Sequence, residues 1–485
     1  MFGKIVNRLS EYKLYWLLFA LIICFTFITD FNGLYGQDSY EYLRFTNALI
    51  EFAKHGIDPG KSYWPVMYQF FGAILSIVFK TEFGLQLVSI ISLLLSGVYL
   101  EKILKALYKN EAQIARWFVF VFFLFSPYPL RSSITIMSDS LCLFFITASS
   151  YYFIKYAEEK RDKIFVAFIV CATAAICTRY VALVVIVIPA IFVMYYFAKR
   201  FNFKVYMLAG VGIVLVLMPY ILIHKDTPLD FLHHELLQGW SFKNIFMSNF
   251  DTADGHASHT FPNIAYCLFN LVHPAFCFAG ILFLIVGIKS IRNKSDSSVQ
   301  WIFVASLLLY ALFLAGIPFQ NLRFLILSFP FVLILFFPAF SKIYHFLKKA
   351  KPMLIIPILI LCLVIQSGLF ARVFIPFYHD NKTEKKISNE VIKQAPATLY
   401  TFSIDAAVRY YGFKGKIVNM WEVKLDTLPI TIEKAQVLFN QKQFKDVWMN
   451  KNPMLNWEYL KTKYQLIKVE DLPDDWELYS IKNNP

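Results

Sequence analysis

Apolar runs long enough to cross a bilayer recur along the chain, near residues 14–30, 84–100, 117–136, 138–156, 164–178, 180–197, 205–223, 265–288, 301–317, 322–340 and 353–371. Hydrocarbon offers no water to a backbone N–H or C=O, so each such run must satisfy its polar groups internally and is read as a helix. The expectation is a polytopic α-helical membrane protein of about eleven spans, carrying a small C-terminal α/β domain. Composition supports this: 58% of the 485 residues are hydrophobic and only 16% are charged, too apolar for a soluble domain of that size. The first run, Leu14 to Thr29, has no small-residue cleavage site after it and is read as a signal anchor.

A net charge of +14 would suggest nucleic acid in a soluble protein. Here the basic residues cluster between apolar runs, and they read as topology determinants. Of 47 Lys and Arg, 21 fall in segments 1–13, 101–116, 155–163, 199–204, 289–294 and 342–351, against nine in the intervening loops. The basic segments are expected to be cytoplasmic, and the odd span count then puts the N-terminus inside and the tail outside. The transmembrane part is taken as 1–371, with outer loops 31–83 and 224–264, and the outer domain as 372–485.

Within the tail, strand-like runs (Thr398–Phe402, Lys416–Met420, Tyr464–Val469, Glu477–Ile481) alternate with helix-like ones (Asp405–Tyr411, Ile432–Trp448), and Gly412 fits a helix C-cap. All seven cysteines lie in or beside apolar segments, which indicates neither a disulfide framework nor a zinc-type pair. The chain shows no internal repeat, which counts against transporter folds built from repeated halves.

Ionisable groups at membrane depth or at its edge are expensive, so each is a functional candidate. Asp38, Tyr42, Phe45 and Leu49 fall at helical spacing, predicting an amphipathic helix with Asp38 near its start, Glu41 beside it and Arg44 off that face. The aromatic stretch Tyr63–Phe71 suits the interface. Asp139 starts a span as a second possible acid, although Ser138 is a ready N-cap and the helix dipole favours an acid there in any case. Arg179 marks a brief outer turn, where it can also cap the preceding helix. Arg131 is a further outer cation. Arg323, with no acid near it in sequence, suits a lipid phosphate, because a guanidinium fork binds such a group bidentately. Lys61 could add charge, or it could simply snorkel. His233, His234, His256 and His259 share one loop, and His256 with His259 could hold a divalent cation. There is no Walker loop, GxGxxG or Ser-His-Asp order, so nucleotide-driven transport and serine hydrolysis lack support.

Several of these elements together resemble the GT-C class of polytopic glycosyltransferases, which use polyprenyl-phosphate sugars and include protein O-mannosyltransferases and the aminoarabinose transferase of lipid A. The elements are Asp38 with Tyr42, Trp64-Pro65 with Tyr68, Ser138-Asp139-Ser140-Leu141, Thr178-Arg179-Tyr180, and Gln320-Asn321-Leu322-Arg323-Phe324-Leu325 running on to Pro330. The resemblance implies an inverting transferase at the outer leaflet of a bacterial inner membrane. It would pass a sugar from a polyprenyl-phosphate donor to a lipid, glycan or protein acceptor, with Asp38 as catalytic base and Arg323, Arg179 or Lys61 on the donor phosphate. Many members carry adjacent acids in the first loop. Here Ser39 follows Asp38, so the reading has a lone base and requires no cofactor, while a divalent cation remains possible. A flippase or exporter of lipid-linked saccharides would use the same arginines as headgroup ligands, without an acid aimed at an acceptor. A membrane scaffold would survive neutralisation of every outer acid.

The charge bias makes a topological prediction. A thiol reagent that cannot cross membranes is expected to label Lys416→Cys and not Lys349→Cys in sealed cells, and labelling of Lys349→Cys would reverse the orientation.

Overall fold

The computed structural model describes residues 12–60, 62, 64–199, 202–223, 239–252, 255–291, 298–427, 433–445 and 448–484. The chain divides into two compact units, one of Met1–Gly33, Tyr42–Ser248 and Phe261–Phe374, the other of Leu34–Glu41, Asn249–Thr260 and Ile375–Pro485.

The first unit is helical, and helices overlie each apolar run. By length and composition, 4 helices among the described residues can cross a membrane, Thr81–Leu107, Phe203–Ile223, Leu322–Ala350 and Pro352–Gln394, or up to 6 if each of two bent pairs is one span. The bends correct the reading of 117–136 and 265–288 as single straight helices. Ile114–Leu124 meets Pro127–Ile134 at 66°, and Asn263–Cys277 meets Gly280–Gly287 at 116°. Proline accounts for the first break, because its ring excludes the helical conformation from the residue before it, and Ser126 accordingly sits at ψ 128° ahead of Pro127. At the second break a Cβ on Gly280 would lie 2.2 Å from the Leu271 carbonyl oxygen, so only glycine allows that approach.

Small polar residues let these helices pack closely. On Thr81–Leu107 the buried Ser89, Ser92 and Ser96 face neighbouring helices, where Ser89 Oγ donates to the Met137 carbonyl at 3.2 Å. Toward the other end of that helix, buried Glu101 accepts from Tyr15 at 2.7 Å and from Arg116 Nε at 3.1 Å, tying in the first helix. Part of the aromatic stretch packs inward. Tyr68 is fully buried and donates to the Leu85 carbonyl at 3.0 Å, and Val66, Met67 and Gln69 are buried with it. Packing against Thr81–Leu107 has drawn one face of Met67–Leu75 inward, leaving Phe70 and Ile74 exposed.

In the second unit a short antiparallel hairpin pairs β1 (Asn249–Thr252) with β2 (Gly255–Ser258). The main sheet holds β3 (Thr398–Thr401), β4 (Lys416–Asn419), β5 (Ala435–Phe439), β6 (Tyr464–Asp471) and β7 (Glu477–Asn483) in the order β4-β3-β5-β7-β6. β3 runs parallel to both β4 and β5, whereas β7 is antiparallel to β5 and β6. Helix Asp405–Tyr410 ends in a Schellman closure, with Phe413 N donating to the Val408 carbonyl and Gly412 at φ 112°. The helix expected over Ile432–Trp448 is replaced by β5 followed by the short helix Gln441–Lys445. β5 is central and buried on both faces, so its apolar residues lose the alternation that marks a strand. A helix not foreseen, Asn452–Lys463, buries Pro453, Met454, Asn456, Trp457 and Leu460 at helical spacing.

The segment Leu34–Glu41 docks on the polar end of helix Ile355–Gln394. Tyr35 stacks on Phe377 at 3.6 Å, Asn381 donates to the Leu34 carbonyl at 2.9 Å, and Tyr40 donates to Glu384 at 2.7 Å. Glu384 lies well beyond the apolar run 353–371, and burial, helped by the nearby Asp380 charge, pushes its carboxyl up from 4.5 to about 7. A carboxyl raised on folding favours the folded state while protonated, a contribution fully present below its unfolded value and lost as pH rises through the folded one. The unfolding temperature is therefore expected to fall between pH 4.5 and 7 more steeply in the wild type than in Glu384→Gln. Parallel profiles would refute this coupling.

Candidate active site

The first unit gathers three of the predicted charges into one buried cluster. Asp139 opens the helix Asp139–Glu159, Arg179 ends Asp162–Thr178, and Arg323 stands at the start of the turn Leu322–Ser328 that leads into Phe329–Ala350. Arg179 Nη1 donates to Asp139 Oδ1 at 2.6 Å, and Arg323 Nε lies 3.8 Å from Asp139 Oδ2. The Asp139 side chain is 2% exposed and that of Arg179 10%. A carboxylate at that depth is tolerable only when paired, and two guanidiniums supply the pairing.

Three expectations change accordingly. Ser138 holds the N-cap position without a side-chain cap bond, and its hydroxyl pairs with Tyr42 OH at 2.7 Å instead. Arg179 does sit at the C-cap, but its guanidinium is committed to Asp139. Arg323, without an acid in its neighbourhood in sequence, gains one from a distant helix. Asp139 thus anchors both cations.

The surroundings fix the cluster in place. Asn321 Oδ1 accepts from Arg323 N at 3.0 Å and so caps the turn. Arg323 Nη1 meets Met137 Sδ at 3.4 Å, a weak acceptor that a ligand oxygen would outcompete. Arg179 lies 5.9 Å over the Phe324 ring. Tyr42, itself fully buried, packs edge-on to Tyr68 at 5.1 Å and is stacked with Trp64 at 6.3 Å. Tyr68 OH also bonds Ser89 Oγ at 2.9 Å, a further buried polar pair inside an apolar body. Buried Gln86 donates to the Phe31 carbonyl at 3.2 Å and to the Ile134 carbonyl at 2.9 Å. The sequence reading missed Gln86 and Ser89. Their signal was polarity inside an apolar run.

The remaining candidates lie elsewhere. Asp38 and Glu41 belong to the second unit, in the first turns of helix Gly36–His55, where Asp38 is half-buried. Along the rest of that helix Phe45 and Leu49 are buried and Arg44 is exposed, as the spacing predicts. Arg131 lies 4.8 Å over the Tyr128 ring. Lys61, His233 and His234 fall outside the described residues. So does the side chain of His256, whose backbone forms part of β2. His259 stacks on Phe250 at 4.5 Å, and no group of three or more potential metal ligands occurs among the described residues.

A family model, the Alg9-like mannosyltransferase family, matches residues 14–404. ArnT from Cupriavidus metallidurans bound to undecaprenyl phosphate is similar in structure, with a TM-score of 0.62 at 13% identity over 96% of this chain and 98% of that one. Its apo state gives 0.59 at 12% identity over 96% and 97%. The oligosaccharyltransferase of Archaeoglobus fulgidus in its apo form gives 0.54 at 10% identity, over 99% of this chain and 75% of that one. No curated protein matches the sequence.

The cluster predicts a stability pattern. Asp139→Ala strands two buried cations and is expected to cost about 3–5 kcal/mol, whereas Tyr42→Phe, which removes one neutral hydrogen bond, is expected to cost about 1–3. Chemical unfolding in detergent reads both, and equal costs would show that Asp139 is not the anchor.

Proposed function

The chain belongs to the Alg9-like mannosyltransferase family, a family of membrane glycosyltransferases, and from that premise we propose that it transfers a sugar from a polyprenyl-phosphate donor with inversion at the anomeric carbon. The observation that carries this reading is the buried pair of guanidiniums on Asp139, since a planar fork fixed in orientation matches phosphate oxygens and is most effective away from water. The likeness to ArnT holding undecaprenyl phosphate supports the same donor class.

In this mechanism the acceptor hydroxyl attacks the anomeric carbon and passes its proton to Asp38. The bond from that carbon to the phosphate oxygen breaks, its electron pair leaves with the polyprenyl phosphate, and Arg323 and Arg179 hold the growing charge. Asp139 keeps both guanidiniums in register and leaves the proton transfer to Asp38, while Glu41, one turn further along the same helix, is the possible second acid. The apolar runs favour about eleven spans, and with them the charge bias of the loops favours the reaction at the outer face and the C-terminal domain outside. The acceptor class is a lipid, glycan or protein.

The test uses washed membranes supplied with labelled undecaprenyl-phosphate sugars. Asp38→Asn preserves size and hydrogen bonding but removes the proton acceptor, so transfer is expected to fall by ~10²–10⁴ while donor binding persists. Glu41→Gln should lose much less. A folded Asp38→Asn protein that transfers at the wild-type rate would end this mechanism.

A further inference from the structure

The second unit contains a hollow of about 260 Å³ lined by Gln37, Phe402, Ser403, Asn419, Trp421 and Trp448. Its position follows from the sheet. β3 is flanked by β4 on one side and β5 on the other, so the chain leaves β3 in one direction and returns past it in the other. Ligands of parallel sheets sit at such a switch point, in the crevice beyond the carboxyl ends of the strands. Phe402 and Ser403 follow β3, Trp421 follows β4, and Trp448 follows the helix after β5.

The lining has a distinct chemistry. Phe402 and Trp421 are stacked at 5.7 Å with 18° between planes, and Trp448 stands edge-on to Trp421 at 5.2 Å. Trp421 is 38% exposed, so part of its side chain remains open to a ligand. Beside the rings, Asp405 accepts from Gln37 Nε2 at 2.6 Å and from Asn419 Nδ2 at 3.3 Å, which fixes both carboxamides. Asn419 Oδ1 also accepts from the Trp421 backbone N–H at 2.9 Å, fixing the amide to the chain that carries the ring. A carboxamide offers two donors and an acceptor with two lone pairs, more than these bonds use. Ser403 holds the left-handed conformation at φ 65°, which a serine rarely adopts and which gathers at ligand sites. No cation lines the hollow among the described residues, so it does not suit a phosphate.

We infer that this hollow binds one ring of a neutral saccharide. The C–H face of a pyranose carries partial positive charge and seats on the negative face of an indole. Its hydroxyls, each donor and acceptor, match oriented carboxamides and a carboxylate. The volume, just below the usual range of about 300–1,000 Å³ for ligand pockets, fits a single ring. The inference rests on the transfer reading in one respect only, that the saccharide is the acceptor glycan; binding itself does not require it.

Calorimetric titration of the full-length protein in nanodiscs with mannotriose, maltotriose, N-acetylchitotriose and, as a stacking control, uridine tests the site. Saturable binding of at least one saccharide is expected, weakened tenfold or more by Trp421→Ala and also by Asn419→Ala, and only partly by Trp448→Phe. Absence of binding by all three saccharides, binding of uridine alone, or wild-type affinity in both alanine variants would overturn the inference. Arg323→Ala is expected to lose transfer and keep the saccharide heat, so failure of the transfer reading and failure of this site show separately.

Discussion

One buried carboxylate, Asp139, organises the helical unit. It sits at the start of its helix, where the dipole already favours negative charge, and it draws in guanidiniums from two other segments of the chain. Charges are costly inside an apolar body, and here their mutual attraction offsets that cost while holding the ends of several helices in register. The Tyr42–Ser138 and Tyr68–Ser89 bonds extend the same register to the neighbouring segments. An arginine held this way loses little freedom when a phosphate arrives, which is the advantage of a preorganised site.

The second unit applies a different rule. Its parallel strands end at a common edge, and the residues just past those ends collect into an aromatic hollow with oriented amides. The helical unit thus carries cations suited to a lipid phosphate, and the sheet unit carries rings and amides suited to a neutral sugar.

Much of this was legible in the sequence. The apolar runs gave the helices, the spacing of Tyr42, Phe45 and Leu49 gave the buried face of Gly36–His55, and Gly412 gave a helix end. Asp139, Arg179 and Arg323 could be placed at the ends of their apolar runs by counting. Their meeting could not be read, because it depends on how helices distant in sequence pack. The bend before Pro127 had its proline in view, masked by the hydropathy around it, and the one before Gly280 depends on a close approach to the Leu271 carbonyl that no local pattern announces. β5 escaped because a strand buried on both faces has no alternation, and Trp421 and Trp448 carried no signal until the sheet order brought them together.

The central claim is that Arg323, steered by Asp139, holds a lipid phosphate through its fork. The most direct measurement is the affinity of the purified protein for undecaprenyl phosphate, wild type against Arg323→Lys, which keeps the charge and loses the planar two-pronged fit. The account predicts binding at least about tenfold weaker in the lysine variant, a difference of ~1.4 kcal/mol. Equal affinity would contradict it and would leave Arg323 as a structural partner of Asp139 alone.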